Sequence, residues 1–315
     1  MACPGETQGL GLIPVAGLLG HDIGYSLSPL LHAAADQASG RRCDYQLFDV
    51  PPDSLPGFLS RVNQFPELVG FNVTRPHKET MARRLNALHD SAREVNSVNV
   101  VALRGEHLIG YNTDRAALVS VIRAQVGEAR LPANGWTVVL LGAGGGARAA
   151  VWAVRDLGLV AELIVSARND DRLASFTNDF YVAYSMTGAE VSSLPWLEWG
   201  DLDVTPPAML INATPLGSAD AHGEVTEPSP IPPDEILAKL SLIIDLVYTP
   251  PETGLVRAAR QAGCQAVGGA GMLIEQALLS RALWFGEGEE EVERAAMVAA
   301  YTSWSGKAVR RSESR

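Results

Sequence analysis

Two ionisable residues, Lys78 and Asp114, each close a polar run that follows an apolar, strand-like stretch. Lys78 ends the run 72–78, and Asp114 ends the run 112–114. Lys78 follows Pro76 in the first turn of a predicted helix, where the helix dipole disfavours a cation. We therefore infer that Lys78 occupies this position because it contacts a ligand. A lysine paired with an aspartate beside a carbonyl can donate a proton to the oxygen while hydride reaches the carbon. The pair therefore predicts an acid/base site, and the competing interpretation is a surface lysine with a helix N-cap aspartate.

A glycine-rich loop follows the apolar segment 136–141 and precedes a segment with helical periodicity that Gly158 can end. The loop fits the pattern G-x-G-x-x-A, which binds the pyrophosphate of a dinucleotide when a strand precedes it and a helix follows it. Glycine lets the backbone approach the pyrophosphate, and the helix N-terminus offers N–H groups to the anion. The predicted cofactor contacts in this loop are Gly142, Ala143, Gly144, Gly145, Gly146 and Ala147. A glycine turn without a ligand is the alternative.

The end of the next predicted strand indicates which nicotinamide cofactor binds. An acidic residue there would bond the free ribose 2′-hydroxyl of NAD, but this chain has Ser166 and Arg168 at that position. An arginine favours the 2′-phosphate of NADP. Asp170 and Asp171 follow at once and keep NAD open as an alternative.

The elements that must position these groups form two predicted α/β units. Strands near residues 13–19, 43–50 and 68–72, with a hairpin around 104–106, give the first unit both parallel and antiparallel pairing. From residue 136 onward strands and helices alternate in a βαβ rhythm. The predicted fold class is therefore α/β: an N-terminal mixed-sheet unit plus a doubly wound Rossmann NAD(P)-binding unit, with a cleft between them.

Composition sets the class of protein. A chain of 315 residues that is 47% apolar suits about two globular domains. The net charge of −11 and the lack of a basic stripe argue against nucleic acid as a partner. No uncharged apolar stretch of membrane-spanning length occurs, and no export signal begins the chain, so we expect no membrane partner. Three widely separated cysteines fit a reducing, cytoplasmic location, and the six histidines show no spacing that predicts a metal.

Many separate motifs, in order, resemble the shikimate dehydrogenase family over nearly the whole chain. Its subfamilies act on shikimate, quinate or aminoshikimate. The matching blocks are Ser26-Leu27-Ser28-Pro29, Asn72-Val73-Thr74-Arg75-Pro76-His77-Lys78, Val95-Asn96-Ser97-Val98, Asn112-Thr113-Asp114, the glycine loop, Asn212-Ala213-Thr214-Pro215, Asp245-Leu246-Val247-Tyr248 and Gly271-Met272-Leu273 through Gln276.

The resemblance implies a division of the chain and a reaction. Residues 1–114 and 272–315 would form the substrate-binding domain, and residues 115–271 the Rossmann domain. The reaction would be the reversible, NADP-dependent reduction of 3-dehydroshikimate to shikimate, with Lys78 and Asp114 as the acid/base pair. The implied contacts to a cyclic polyol carboxylate are Ser26, Ser28, Thr74, Asn96, Tyr248 and Gln276. Asn212, Ala213, Thr214, Gly268 and Met272 would flank the nicotinamide.

Several alternatives remain open on the sequence. Arg115 stands where the family usually has glycine, and it could pair with Asp114 or point into solvent. Oxidation of quinate or aminoshikimate in a catabolic or secondary pathway is the nearest rival function, although Ser28 favours shikimate. A noncatalytic relative that senses NADP or a metabolite should lack the lysine or the aspartate, and this chain has both. A homodimer is the assembly that we consider.

Overall fold

A computed structural model describes residues 12–65, 67–127, 135–185, 188–220, 223–225, 227–286 and 288–313. Cys3 and His222 lie outside these residues. Two six-stranded sheets organise the described part of the chain. The first sheet is built from residues in the range 15–111, and the second from residues in the range 136–267.

The first sheet has the strand order β2-β1-β3-β5-β6-β4. Its strands are β1 (Val15–Gly20), β2 (Asp44–Asp49), β3 (Gly70–Val73), β4 (Ala87–Leu88), β5 (Val100–Arg104) and β6 (His107–Tyr111). The pairs β1 with β2, β1 with β3 and β4 with β6 are parallel, whereas β3 with β5 and the β5–β6 hairpin are antiparallel. Helix α1 (Ser28–Ser39) makes the crossover from β1 to β2, and Gly40 ends it in the left-handed conformation that glycine adopts readily.

The second sheet is wholly parallel, with the order β12-β11-β10-β7-β8-β9. Its strands are β7 (Trp136–Leu141), β8 (Val160–Ser166), β9 (Glu190–Leu194), β10 (Ala208–Asn212), β11 (Leu240–Asp245) and β12 (Gln265–Val267). This is the order of a Rossmann sheet, in which the chain reverses direction between the first and fourth strands, here β7 and β10. Separate apolar clusters cover its two faces, as a parallel sheet requires.

The remaining helices connect the strands and cover the sheets. They are α2 (Leu55–Arg61), α3 (Lys78–Arg84), α4 (Asp90–Val95), α5 (Asp114–Val126), α6 (Gly145–Asp156), α7 (Asp170–Ser185), α8 (Asp234–Leu237), α9 (Gly254–Gln261), α10 (Ala270–Phe285) and α11 (Glu290–Glu313). Apolar residues of α1, α10 and α11 share one buried cluster. The end of the chain therefore returns to the first unit.

A buried ion network joins these three helices. Arg281 of α10 is 2% exposed and its Nη1 lies 2.7 Å from Oδ1 of Asp36 in α1. The same guanidinium donates two hydrogen bonds of 2.8 Å to the carboxylate of Glu293 in α11. Such bidentate, charge-assisted bonds fix both distance and orientation.

The predicted fold class is confirmed, since a mixed sheet and a Rossmann sheet are both present. The domain limits at residues 114/115 and 271/272 stay predictions. In the described ranges, no helix combines the length and the apolar character needed to cross a membrane.

Candidate active site

A cavity of about 570 Å³ lies between the two sheets, beyond the carboxyl ends of β7, β10 and β11. Open α/β sheets bind ligands at this edge, at the point where strand order reverses. The structure brings sixteen of the predicted site residues to this cavity. They are Ser26, Ser28, Thr74, Lys78, Asp114, Gly142, Ala143, Gly144, Gly145, Gly146, Arg168, Ala213, Thr214, Tyr248, Met272 and Gln276.

Lys78 and Asp114 form an ion pair at the cavity wall. Lys78 is the first residue of α3 and Asp114 the first residue of α5, and Lys78 Nζ lies 2.5 Å from Asp114 Oδ2. The Asp114 side chain is 2% exposed, whereas that of Lys78 is 20% exposed. The lysine ammonium is thus held by a buried carboxylate and still reaches the cavity, which is the arrangement that a proton donor needs.

Asn99, on the turn before β5, holds the Asp114 carboxylate from behind. Its Nδ2 donates to Asp114 Oδ1 at 2.8 Å and to Gln276 Oε1 at 3.1 Å, and its Oδ1 accepts the Thr113 N–H at 2.7 Å. Asn99 is 1% exposed. One amide thereby links the aspartate, the start of α5 and a residue of α10.

The structure does not bring Asn96, a predicted substrate contact, to the cavity. Asn96 is exposed at the C-terminus of α4, where it adopts a left-handed backbone (φ 52°), and it does not line the cavity. Asn96 therefore ends a helix, a role that asparagine tolerates well. The asparagine that contacts the acid/base pair is Asn99, three residues later.

Ser26 and Ser28 lie side by side at the opposite end of the cavity from the glycine loop. Ser26 Oγ donates to Ser28 Oγ at 3.2 Å and accepts the Ser28 N–H at 3.2 Å. The cap position of α1 belongs to Leu27, with no side-chain cap bond, so Ser28 does not serve as a cap. Two adjacent hydroxyls can donate to both oxygens of a carboxylate. Burial raises the pKa of the neighbouring Tyr248 well above its usual range and keeps that hydroxyl neutral.

The glycine loop packs closely against both sides of the cavity. Gly142 has φ 105°, and a Cβ there would lie 3.2 Å from the carbonyl oxygen of Ala213. A Cβ on Gly145 would lie 2.6 Å from Ser97 Oγ and 3.2 Å from Lys78 Cβ. Helix α6 begins here without a side-chain cap, so its first N–H groups are available to a pyrophosphate. The loop therefore fits a dinucleotide and brings it beside the lysine.

Two arginines follow β8 at the same end of the cavity. Arg168 Nη1 lies 3.3 Å from Glu227 Oε2. Arg172, in the first turn of α7, donates from Nε to the carbonyl oxygen of Ala143 at 2.9 Å and pairs with Glu79. The sequence prediction included Arg168 but missed Arg172. Asp170 and Asp171 are exposed and do not line the cavity.

Four further residues that the sequence analysis assigned to the cofactor do not line the cavity, and they form part of the structure behind its wall. Ala147 is buried in the helix-to-sheet core, and Ser166 Oγ donates to the Pro195 carbonyl at 3.1 Å. The side-chain carbonyl of Asn212 accepts the Thr214 hydroxyl at 2.6 Å, so Asn212 shapes the turn without reaching the cavity. Gly269 lines the cavity in place of Gly268.

Arg115 neither pairs with Asp114 nor projects freely into solvent. Its Nε lies 2.5 Å from Asp156 Oδ2, its Nη1 pairs with Glu94, and its guanidinium lies 4.9 Å from the ring centre of Trp152. These contacts direct the cation away from the acid/base pair and fasten α4, α5 and α6 together. The glycine of the family pattern is thus replaced here by a structural cross-link.

Among the residues that the structure describes, one group of potential metal ligands occurs, which the sequence spacing did not predict. Potential ligand atoms of His21, Asp22 and Asp49 lie within 4.8 Å of one another. Both aspartates are exposed, and the two carboxylates approach different nitrogens of the imidazole, at 3.1 Å for Asp49 and 3.7 Å for Asp22. The two carboxylates therefore lie beside opposite nitrogens of the ring, so they do not join one ring nitrogen in surrounding a common metal position.

Comparison with known proteins gives one consistent family. The family model described as "Shikimate dehydrogenase substrate binding domain" matches residues 18–101. The chain is 36% identical over 287 residues to "Shikimate dehydrogenase (NADP(+))" of Symbiobacterium thermophilum, covering 91% of this chain and 94% of the relative. It is 33% identical over 280 residues to the protein of the same name from Methanopyrus kandleri, covering 87% and 90%. The crystal structure of shikimate 5-dehydrogenase from Thermus thermophilus, in complex with NADP(H) and shikimate, has a TM-score of 0.73 at 30% identity and covers 91% of this chain and 100% of that one.

Proposed function

The chain belongs to the shikimate dehydrogenase family, and on that premise we propose that it catalyses the reversible reduction of 3-dehydroshikimate to shikimate with NADPH. The observation that carries this proposal is the Lys78–Asp114 ion pair at the wall of a cavity that also contains the glycine loop. That arrangement places a proton donor beside the site of a hydride donor.

The chemistry divides between the cofactor and the protein. The bound cofactor supplies the hydride to the carbonyl carbon. Lys78 donates the proton that the carbonyl oxygen needs, and in the reverse direction takes it back from the hydroxyl. Asp114 holds the ammonium in place, while Asn99 holds Asp114. The ion pair thus lowers the cost of charge developing on oxygen during the transfer.

The proposed substrate contacts lie on the same cavity. We assign the carboxylate to Ser26 and Ser28, because their adjacent hydroxyls suit its two oxygens. Ring hydroxyls fall to Asp114 and Gln276, which line the cavity and are both held by Asn99 behind them. Thr74 and Tyr248 complete the substrate side of the wall.

The proposed cofactor contacts follow the Rossmann sheet. The loop 142–146 receives the pyrophosphate at the N-terminus of α6. Arg168 and Arg172 receive the 2′-phosphate, because each can donate charge-assisted bonds to it. Ala213, Thr214 and Met272 lie on the wall beside Lys78 and flank the nicotinamide.

An initial-rate panel with shikimate, quinate, NADP⁺ and NAD⁺ tests the function directly. We expect shikimate with NADP⁺ to give the highest kcat/KM. An equal kcat/KM with quinate would contradict the proposed substrate but not the enzyme class. An equal kcat/KM with NAD⁺ would show that the arginines do not bind the 2′-phosphate. No turnover with any pair would refute the proposal.

Two further properties stay proposals. Cys43 and Cys264 are free thiols in different units, which agrees with the cytoplasmic location that we propose. A homodimer is the proposed assembly, and light scattering of the purified protein tests it.

A further inference from the structure

Asp245 is a fully buried carboxylate at the last residue of β11, behind the cavity wall. Its Oδ1 accepts from Asn212 Nδ2 at 2.8 Å and from the Val247 N–H at 3.1 Å. Its Oδ2 accepts from Thr253 Oγ1 at 2.6 Å. Both carboxylate oxygens therefore accept hydrogen bonds, and the three donors come from three separate segments of the chain.

The three donors connect Asp245 to both turns that line this side of the cavity. Asn212 is the last residue of β10 and holds the Thr214 hydroxyl at 2.6 Å through its own Oδ1. Val247 belongs to the turn after β11, where residues 246–249 line the cavity. Thr253 caps α9 and closes that turn. One side chain thus joins the turns at the ends of β10 and β11.

The groups that contact Asp245 donate hydrogen bonds, which suits an ionised carboxylate as their acceptor. A carboxylate offers only acceptor atoms, whereas an asparagine amide would turn its NH₂ group toward at least one donor. The groups that face Asp245 are Asn212 from β10, the Val247 N–H from the following turn and Thr253 from α9. Burial raises the pKa of Asp245 to about 6, and these three hydrogen bonds oppose the rise. Burying a charged carboxylate among neutral donors costs folding free energy, so we infer that Asp245 has a function that offsets this cost.

We propose that Asp245 is a positioning residue for the nicotinamide half of the cofactor: it locks the turns after β10 and β11 into one rigid wall. In a Rossmann sheet the second set of three strands, here β10–β12, binds the second nucleotide half, and both turns follow those strands. The inference rests on the proposed NADP-linked function. It assigns to Asp245 a role in cofactor placement that involves no contact with the cofactor.

The test compares wild type with Asp245→Asn and Thr253→Val by steady-state kinetics and by calorimetric titration with NADP⁺. Asp245→Asn should raise the Kd and the KM for NADP⁺ about tenfold, the effect of one lost charge-assisted bond. The KM for shikimate should change less than the constants for NADP⁺, because Ser26 and Ser28 lie in the other unit and Tyr248 is the one proposed substrate contact that belongs to the locked turns. Thr253→Val removes one donor to Asp245, together with the cap bond of α9, at nearly the same side-chain shape, and should raise the same constants about threefold. The exposed Asp234→Asn, in the first turn of α8, is the matched control and should leave every constant unchanged.

The pH profile separates positioning from general destabilisation. In wild type the Kd for NADP⁺ should rise as the pH falls through about 6, since protonation removes an acceptor from the two turns. Asp245→Asn should lack that part of the rise, whereas titration of the 2′-phosphate is common to both proteins. A variant with lower kcat but unchanged constants for NADP⁺ would overturn the inference and leave Asp245 a purely structural residue. Wild type that binds NADP⁺ without turnover would instead refute the proposed reaction, and the titrations would still decide the role of Asp245.

Discussion

Replacing Asn99 and Asn96 in turn decides which of two asparagines supports catalysis. We expect Asn99→Ala to lower both stability and turnover. The substitution leaves the buried Thr113 N–H without its acceptor and removes one donor from the Asp114 carboxylate. Each of these two buried groups that loses a partner costs about 1–3 kcal/mol, so the free energy of unfolding should fall by about 2–6 kcal/mol.

The loss at Asp114 affects proton transfer, whereas the loss of the Asn99 bond to Gln276 affects substrate binding. If about 2 kcal/mol of transition-state stabilisation depends on the orientation of that carboxylate, kcat should fall about 30-fold. Urea unfolding measures the stability, and initial rates at saturating shikimate and NADP⁺ measure kcat. Rates are taken at a temperature where both proteins are folded by circular dichroism.

The control is Asn96→Gly, because glycine accepts the left-handed backbone at that position without strain. This variant should keep the wild-type kcat and change stability by less than about 1 kcal/mol. The reasoning is refuted if Asn96→Gly loses turnover while Asn99→Ala retains it, since the substrate would then contact the residue that the structure places in solvent.

Four other predictions concern single side chains. Lys78→Ala should lower kcat by about 10²- to 10⁴-fold with a much smaller change in the KM for shikimate, and near-normal turnover would exclude Lys78 from proton transfer. Ser28→Ala should raise the KM for shikimate several-fold at unchanged melting temperature, because Ser28 makes no cap bond; the reverse result would make it a structural residue. Arg172→Ala should raise the KM for NADP⁺ about tenfold and leave that for NAD⁺ unchanged, and equal effects on the two would remove it from the 2′-phosphate. Burial lowers the pKa of His32 from 6.5 to about 3, so the unfolded chain takes up this proton before the folded protein does. The contribution of His32 to the free energy of unfolding is therefore complete above pH 6.5 and decreases by about 1.4 kcal/mol for each pH unit below it. His32→Phe should lack this pH dependence in urea unfolding, and an equal pH dependence in the variant would assign the titration to another group.

Residues at the ends of strands were the most predictable part of the site. Lys78 and Asp114 follow β3 and β6, which run in the same direction in the first sheet, so topology places both at one edge of that sheet. The glycine loop follows β7 of the second sheet and meets them across the cavity. The bounds of β7 and β10 agree with the apolar runs of the sequence for the same reason.

Other residues needed the structure. Asn96 and Asn99 occur in the similar contexts Val95-Asn96 and Val98-Asn99, and only the hairpin register places the second beside Asp114. Arg172 belongs to a polar helical turn that resembles any solvent-exposed helix start. The edge strands β4 and β12 have two and three residues, too few to show a period.

The return of α11 to α1 has a consequence for biosynthesis. During synthesis the first sheet emerges from the ribosome long before residues 290–313, which cover the apolar face of α1. Arg281 reaches Asp36, and Glu293 reaches Arg281, only after the whole Rossmann sheet has been synthesised. The Rossmann sheet is continuous in sequence and has all of its strands by residue 267, so it can fold while the first unit still waits for its last helix. The nucleotide half can therefore fold before the substrate side of the cleft is complete, and a truncation that removes α11 should leave a folded nucleotide half attached to an exposed, aggregation-prone α1.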